Sequence, residues 1–508
     1  MQDKATFQSH KALFFNTLAF TVCFAAWMIN GVLVTFLVNS GVFRWSAIQI
    51  GWLLGVPVLV GSVLRLPVGI LTDKFGGKVV MTVILLLAAL PMFFLSQANN
   101  FSTFLLLSFG FGIVGSSFAA GVAYTSVWYP KEKQGMALGI FGAGNVGAAL
   151  TTLFAPGILI SLTKNGAEIE AWRLLPQLYA ALLVATAVIF FAGTKNKMAD
   201  STKTLAQRLA PLKQVRVWRF GLYYFFVFGS FVALSQWLIP YYVNVYSLSI
   251  VVAGVMATAF SLPVGLVRAI GGWVADKVGA RIVLLWVFGI CIVCLFFLFV
   301  PRMEIQAPGQ GVMASKPGTV VSVSNDEIVI DQDAYQLQTS FGESSHVGIQ
   351  FGIGNEKEEF LLLPTASFQQ TPTVEVGERI SKGQLLAKGV THIYFQANKW
   401  IFSVLIFIIG IMMGFGSAAV YKHISDYYPA NVGTVGGIVG VLGGLGGFFN
   451  PIIFGLLLRG TGIWTTSWMF LALIALICII LQRLAIKAIE LAKADTIQQK
   501  LPSVFFDD

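Results

Sequence analysis

The sequence predicts an all-α polytopic membrane protein, with twelve transmembrane helices in two six-helix pseudo-repeats and a small extramembrane all-β insert. Three observations carry this. Of 508 residues 56% are apolar and only 11% charged, and runs of roughly twenty apolar residues, each able to cross a hydrocarbon core about 30 Å thick, recur twelve times. The segment Leu64 to Lys78, LRLPVGILTDKFGGK, returns far downstream as Val267 to Arg281, VRAIGGWVADKVGAR, so that Arg65 aligns with Arg268, Gly69 with Gly272, Asp73 with Asp276 and Lys78 with Arg281. The stretch from Arg302 to Lys399 then interrupts the spans with polar, acidic sequence.

Taken in order, residues 1–194 make the first six-helix bundle. Its first run, about Ala12 to Val38, is too long for a cleaved signal peptide and stays in the membrane. Helix 2 follows Arg44 and Trp45 and carries Arg65; helices 3 and 4 lie near Val79 to Leu95 and Phe101 to Trp128; helix 5 follows the turn PKEKQ; helix 6 ends near Gly193. Residues 195–219 are a basic linker, with Lys195, Lys197, Lys203, Arg208, Lys213, Arg216 and Arg219. Helices 7 to 9 occupy 220–301 and include Arg268 on helix 8; helices 10 to 12 occupy 400–485; residues 486–508 are a polar tail.

Sorting the cations sets the expected orientation. With the N-terminus inside, the inner loops hold Lys4, Lys11, Lys74, Lys78, Lys131, Lys133, the linker set, Lys277, Arg281, Lys422, Arg483, Lys487, Lys493 and Lys500. The outer loops hold only Arg44, Lys164, Arg173 and Arg459, so both termini are expected in the cytoplasm of a bacterial cell whose inner membrane the chain spans. The net charge of +10 is spread over alternate loops and forms no nucleic-acid face.

The insert, 302–399, shows short period-two alternations (GTVVSVS, EIVIDQ, AYQLQ) and an Asn325-Asp326 turn, which read as a small all-β domain on the periplasmic side. Its last segment, VGERISKGQLLAKG, resembles the barrel-sandwich hybrid fold of biotinyl and lipoyl carriers and of a region of the bacterial RNA polymerase β subunit. No lysine stands at a hairpin tip where a carrier would be modified. The insert is therefore assigned an accessory role, open to a partner of unknown identity.

The residues left without a topological reason are Arg65 and Arg268. An arginine at mid-membrane costs about 2.5–3.5 kcal/mol on insertion scales, so the two together cost on the order of 5–7 kcal/mol unless compensated. No Asp or Glu lies within the twelve runs to pair with them. Snorkelling is unfavourable because about two apolar helical turns separate each arginine from its Asp-Lys turn. Backbone carbonyls and water could satisfy them; the functional reading is a shared cavity in which two planar forks of donors, one from each half, clamp a small planar oxyanion. Without an intramembrane carboxylate, exchange of one anion for another is the expected coupling.

The pattern G-x-x-x-D-K-x-G occurs as Gly69, Asp73, Lys74, Gly76 and again as Gly272, Asp276, Lys277, Gly279. It places a carboxylate and a cation at a helix end, as a topology marker or, doubled at identical spacing, as a breakable gate. Two matches to G-x-G-x-x-G, at Gly110 and at Gly142, lie inside apolar runs with no βαβ context, so they are helix-packing glycines and imply no dinucleotide. Asn145, within GAGNVG, has two readings: a neutral donor to an anion, or a bond across helices. Cys23, Cys291, Cys294 and Cys478 all lie in apolar runs, and His10, His346, His392 and His423 form no relay or metal set. No cofactor, metal or enzymatic nucleophile is expected.

The paired G-x-x-x-D-K-x-G turns resemble the major facilitator superfamily. With an arginine in each of helices 2 and 8, the segments SVWYPKEKQGMALGIFGAGNVGAALTTLFAP and YKHISDYYPANVGTVGGIVGVLGGLGGFFNP resemble its nitrate/nitrite porter family. The resemblance covers all twelve spans and leaves out the insert. It implies a major facilitator fold and a functional monomer that carries nitrate or nitrite between Arg65 and Arg268, with Asn145 nearby and Phe118, Tyr224 and Phe228 as ring walls. With no membrane carboxylate, nitrate/nitrite exchange is expected; the alternatives are proton-coupled nitrate uptake, a porter of another small anion, or a transport-inactive sensor acting through the insert. Two positions depart from the family pattern: Asn30 where some members have an aromatic wall, and Ser417 where relatives often have lysine.

Overall fold

The computed structural model describes residues 7–198, 209–298, 303–306, 311–341, 366–393, 399–428 and 432–498. Among them, eleven helices are long and apolar enough to cross a membrane, and one bent pair makes a twelfth. These spans are α1 (Phe7–Asn39), α2 (Ala47–Val63 and Arg65–Phe75), α3 (Gly77–Gln97), α4 (Phe101–Trp128), α5 (Met136–Leu162), α6 (Ile169–Gly193) and α7 (Val215–Tyr246). They continue as α8 (Ile250–Val278), α9 (Ala280–Leu298), α10 (Lys399–Tyr427), α11 (Val432–Thr461) and α12 (Thr466–Gln498).

Their ends fall where the sequence supplies partners for unpaired backbone groups. Ser46 starts α2 with a capping box: its hydroxyl accepts from Gln49 N at 3.3 Å, and the Gln49 side chain accepts from Ser46 N at 2.9 Å. Asn100 caps α4 through Thr103 N at 2.9 Å, and Ser249 caps α8 through Val252 N at 3.4 Å. At the other end, Gly76 (φ 84°) and Gly279 (φ 93°) close α2 and α8 in a backbone region that residues with a Cβ avoid, each donating to a carbonyl of the last turn. The paired motif glycines are thus C-terminal caps at equivalent points of the two repeats.

α7 begins at Val215, so Arg216 and Arg219, expected in the linker 195–219, are helical. The reason is amphipathic spacing: Val217 and Phe220 are buried while Arg216 is exposed. Linker residues 199–208, with Lys203 and Arg208, lie outside the described residues.

Burial sorts the spans into layers. The most apolar windows of α1 and α7 are 83% and 89% buried within the protein, against 39% for α6 and 28% for α12. Equivalent helices of the two repeats therefore form the centre, and α6 and α12 form the lipid-facing rim. The chain's glycines make close crossings possible. A methyl on Gly112 would come within 2.6 Å of the Pro57 carbonyl, and one on Gly115 or Gly147 would strike the Trp27 ring or the Thr21 carbonyl. The two G-x-G-x-x-G runs do serve helix packing. The four cysteines are free and buried, Cys291 and Cys294 included.

Among the described residues, nine strands lie between α9 and α10: β1 (Met303–Gln306), β2 (Val312–Met313), β3 (Gly318–Val323), β4 (Glu327–Ile330), β5 (Asp333–Gln336), β6 (Thr339–Phe341), β7 (Ala366–Pro372), β8 (Arg379–Ile380) and β9 (Leu385–Ile393). They form two antiparallel sheets, one in the order β1-β9-β7-β6 with β2 also on β9, the other β5-β4-β3-β8. Ile328 and Ile330 of β4 point inward by strand alternation and pack with Val320, Ile380 and Leu386. A turn through Asn325-Asp326 joins β3 to β4, with Ser324 N donating to Glu327 O at 2.9 Å. Residues 302, 307–310, 342–365 and 394–398 of the insert lie outside the described set.

Candidate functional site

The two arginines reach the midline from helices of different shape. α8 runs unbroken through Arg268, whereas α2 bends by 40° at Leu64 and resumes at Arg65. The bend follows from Pro67, which lacks the N–H that would bond Val63 O, and earlier in α2 Pro57 likewise leaves Leu53 O without its helical donor. The side-chain amide of Asn30 supplies the missing donor, reaching Leu53 O at 2.7 Å and Ser108 Oγ at 3.0 Å. Asn30 therefore braces α2 against α1 and α4, and the aromatic wall comes from its neighbour Trp27, whose indole N–H donates to Pro57 O at 2.9 Å.

Arg65 is only 2% exposed. Its Nη1 donates to the carbonyl of Gly440 on α11 at 2.7 Å, a bond from one bundle to the other, and its Nε donates to Gly115 O at 3.5 Å. Its guanidinium carbon lies 5.2 Å from the Phe118 ring, 5.1 Å from Phe228 and 5.9 Å from Trp27. Arg268 is half-buried, donates from Nη2 to the Tyr224 hydroxyl at 3.2 Å, and lies 5.7 Å from Phe118 and 5.6 Å from Tyr421. Its Nη1 is buried without a hydrogen-bond partner. Both cations thus share the Phe118 ring, and the two distances laid end to end put them no more than about 11 Å apart. Neither has an ion pair with a carboxylate among the described residues. Ring faces replace part of the lost hydration at ~0.5–2 kcal/mol each.

The rings are held in register by α7. Tyr224 and Phe228 stack at 4.9 Å with planes 3° apart, across a single π-helical turn, Phe225–Gly229. Tyr421 stands edge-on to Tyr224 at 5.3 Å and to Phe118 at 6.5 Å, and donates to Gly436 O at 3.3 Å. Asn145 is 1% exposed and its Oδ1 has no partner. It lies three residues, one helical turn, beyond Gly142, which lies against Arg268: a methyl there would be 3.7 Å from Arg268 Cδ. Ser417 is buried with an unpartnered hydroxyl, so that position brings no further cation.

The fold therefore gathers Arg65, Arg268, Phe118, Tyr224 and Phe228, and adds Trp27, Tyr421, Gly142 and Gly440. Sequence reasoning missed Trp27 and Tyr421 because an aromatic side chain inside an apolar run looks the same whether it packs or lines a site. Gly142 and Gly440 carried a readable signal: each sits in the glycine-rich signature of its half, where the opposite half's arginine must pass.

The Asp-Lys turns lie at one end of the molecule. Asp276 pairs with Lys422 of α10 at 3.1 Å, and Lys422 also pairs with Asp426 at 2.9 Å, so this contact joins helix ends of one bundle. Lys277 and Lys74 lie over the rings of Trp273 and Phe75. Asp73 is half-buried in the matching position.

Between the bundles, the glycines report which side is shut. Away from the turns, a methyl on Gly51 would come within 2.5 Å of Pro451 O, one on Gly55 within 2.7 Å of Phe448 O, and one on Gly455 within 2.5 Å of Ala47 O. Thr152 on α5 and Thr258 on α8 share a 2.8 Å hydrogen bond there, and a methyl on Gly254 would strike the Thr152 carbonyl. Toward the turns the picture reverses. Gly69, Gly139, Gly272 and Gly437 each sit one turn from a site position on the same helix face, and each has open space beside it. The bundles thus pack together on the side away from the Asp-Lys turns and not at these glycines on the turn side, while the site between them is buried, with Arg65 2% and Tyr224 0% exposed.

The sequence profile of the Major Facilitator Superfamily matches residues 16–313 and 384–502. Among known proteins, the chain is similar to the "Probable nitrate/nitrite antiporter NarK1" of Thermus thermophilus, at 35% identity over 94% of this chain and 91% of that one. It is also similar to the "Nitrite extrusion protein" of Bacillus subtilis, at 31% identity over 59% of this chain and 74% of the other. Among solved structures, a bacterial homologue of the human lysosomal transporter Spinster, in an inward-facing and occupied conformation, matches with a TM-score of 0.62 at 13% identity, over 95% of this chain and 98% of that one, which bears on the fold alone.

Proposed function

This chain belongs to the nitrate/nitrite porter family of the major facilitator superfamily, and on that premise we propose that it exchanges nitrate for nitrite by alternating access. It is a multi-pass membrane transporter of nitrate or nitrite and not an enzyme. The observation that carries the exchange reading is the pair of guanidiniums converging on Phe118 without a carboxylate partner. Two unit charges no more than about 11 Å apart at an effective dielectric near 20 repel by roughly 1.5 kcal/mol or more. One bound anion offsets that repulsion and gives Arg268 Nη1 the acceptor it lacks. Loaded carrier then crosses more readily than empty carrier, the condition for exchange.

The ring walls and the fork geometry favour a small planar oxyanion. Phe118, Phe228 and Tyr224 bound a slot, the two arginines offer donors in it, and Asn145 adds a carboxamide at its edge.

The glycines supply the two states. The bundles now touch through Gly51, Gly55, Gly455 and Gly254, and rocking would exchange those contacts for ones through Gly69, Gly139, Gly272 and Gly437. We assign the Asp-Lys side to the cytoplasm because the basic loops lie there, which puts both termini inside. α9 starts on that side at Ala280 and crosses, so the insert is assigned to the periplasmic face of a bacterial inner membrane. The unit of transport in this reading is the monomer, since the site is completed within one chain.

The test is counterflow in liposomes. Protein reconstituted with nitrite inside should take up labelled nitrate with no proton gradient. Uptake that follows an imposed pH gradient and ignores internal nitrite would replace exchange with proton coupling.

A further inference from the structure

We propose that the cytoplasmic end of the C-terminal bundle holds a second anion site, built for a phosphate-type oxyanion and separate from the transport path. The inner ends of α7, α9, α10 and α12 border a shallow cleft, its enclosed part only about 10 Å³ and its mouth open to solvent, lined by Arg219, Arg281, His423, Tyr427 and Gln482. No acid is among its lining residues. The nearest carboxylate on α10, Asp426, is taken by Lys422 at 2.9 Å.

Two unpartnered groups point to a missing ligand. His423 is 4% exposed and its Nε2 has no hydrogen-bond partner; Arg219 Nε is likewise buried and unpartnered. Buried nitrogens are satisfied in the great majority of cases; Arg219 Nε is always a donor and His423 Nε2 is one in the tautomer protonated there, so together they call for an oxygen acceptor. The surroundings hold them ready. Phe220 stacks on the imidazole at 5.3 Å with planes 11° apart, Arg281 Nη2 donates to the Tyr427 hydroxyl at 2.5 Å, and Gln482 Nε2 donates to Arg281 O at 3.2 Å.

The repeat does not explain the cluster. Lys78, which aligns with Arg281, instead lies over the Phe191 ring at 4.0 Å. One wall of the cleft is apolar, from Ala485, Ile486 and Ile489 of α12. A basic recess beside an apolar helix face at the inner membrane surface fits the phosphodiester and upper acyl chain of an anionic phospholipid. Free phosphate offers the same oxygens without using that wall.

The experiment is ligand retention and thermal stability of the purified full-length protein in detergent. Dioleoyl phosphatidylglycerol, dioleoyl phosphatidylcholine and inorganic phosphate are each titrated into wild type and Arg219→Gln/Arg281→Gln. Retention of phosphatidylglycerol over phosphatidylcholine by wild type, weakened roughly tenfold in the variant, supports the lipid source, since losing a charge-assisted bond costs about that much. Saturable stabilisation by inorganic phosphate alone, also lost in the variant, supports the same oxyanion site with a soluble source. Equal binding of every ligand by both proteins, or no binding by wild type, overturns the proposal. Should the double variant not fold, Arg219→Gln alone removes the unpartnered Nε and is read in the same way. Nitrate counterflow in phosphatidylcholine liposomes, expected unchanged, separates failure of this site from failure of the transport site.

Discussion

Arg65 and Gly440 stand 375 positions apart in the chain and meet at 2.7 Å, guanidinium to carbonyl, across the two bundles. Arg268 lies against Gly142 of the first bundle without a hydrogen bond to it, a methyl there falling 3.7 Å from Arg268 Cδ. Each arginine is thus bedded in the glycine-rich helix of the opposite half. A methyl at either glycine would meet the arginine at ordinary contact distance, 3.7 Å at Gly142 and 3.5 Å at Gly440, so only a larger side chain would displace the guanidinium.

The fork of donors matters more than the charge. Arg65→Lys and Arg268→Lys should fold and insert normally and bind nitrate roughly tenfold more weakly or worse, about 1.4 kcal/mol, because an ammonium lacks the planar fork that can donate two parallel bonds to the anion while a further N–H holds Gly440 O or Tyr224. Binding titration of the purified variants measures it; wild-type affinity in both would remove the clamp.

Tyr224→Phe separates ring from hydroxyl. The stack on Phe228 survives and the 3.2 Å bond to Arg268 is lost, leaving that guanidinium freer to wander. The expected result is a KM for nitrate raised about fivefold, near 1 kcal/mol, with maximal rate little changed. Phe228→Ala, which takes away the ring itself, should lower affinity and rate together.

Leucine at the open glycines and at the closed ones should trap opposite states. Gly69→Leu or Gly272→Leu fills space that must vanish for the inner side to close, so nitrate still binds while counterflow falls by more than about tenfold. Gly51→Leu collides with Pro451 O and should hold the outer side apart. A reporter cysteine at Asn145 in a background free of native cysteines, labelled from each side of the membrane, reads the difference; identical labelling of the two variants would contradict rocking about the site.

The insert should be dispensable for transport. Joining Leu298 to Lys399 through a short Gly/Ser linker leaves every site residue in place, so counterflow is expected within twofold of wild type. Loss of transport in a correctly inserted deletion variant would give the sheets a direct part in the cycle.

Much of the site could be read before folding because charge in a membrane has to be explained. Arg65 and Arg268 announced themselves against apolar runs without acids, and the repeat placed them at equivalent depths. Asn30 was legible in part: Pro57 leaves Leu53 O without its helical donor, yet nothing local says that a residue on α1 will supply one. Trp27 and Tyr421 gave no sign, since the membrane interior is full of rings and only neighbours tell a wall from packing.

The sequence by itself therefore determined the class of protein, the twelve spans, the two repeats and the two cations, because each follows from the cost of placing polar groups in hydrocarbon. Which rings enclose the cations, that Arg65 is tied to the far bundle while Arg268 keeps a free donor, and on which side of the site the bundles pack were decided only by the tertiary structure. Those outcomes depend on how closely glycine-bearing helices approach one another across the bundles, a distance that no local pattern encodes.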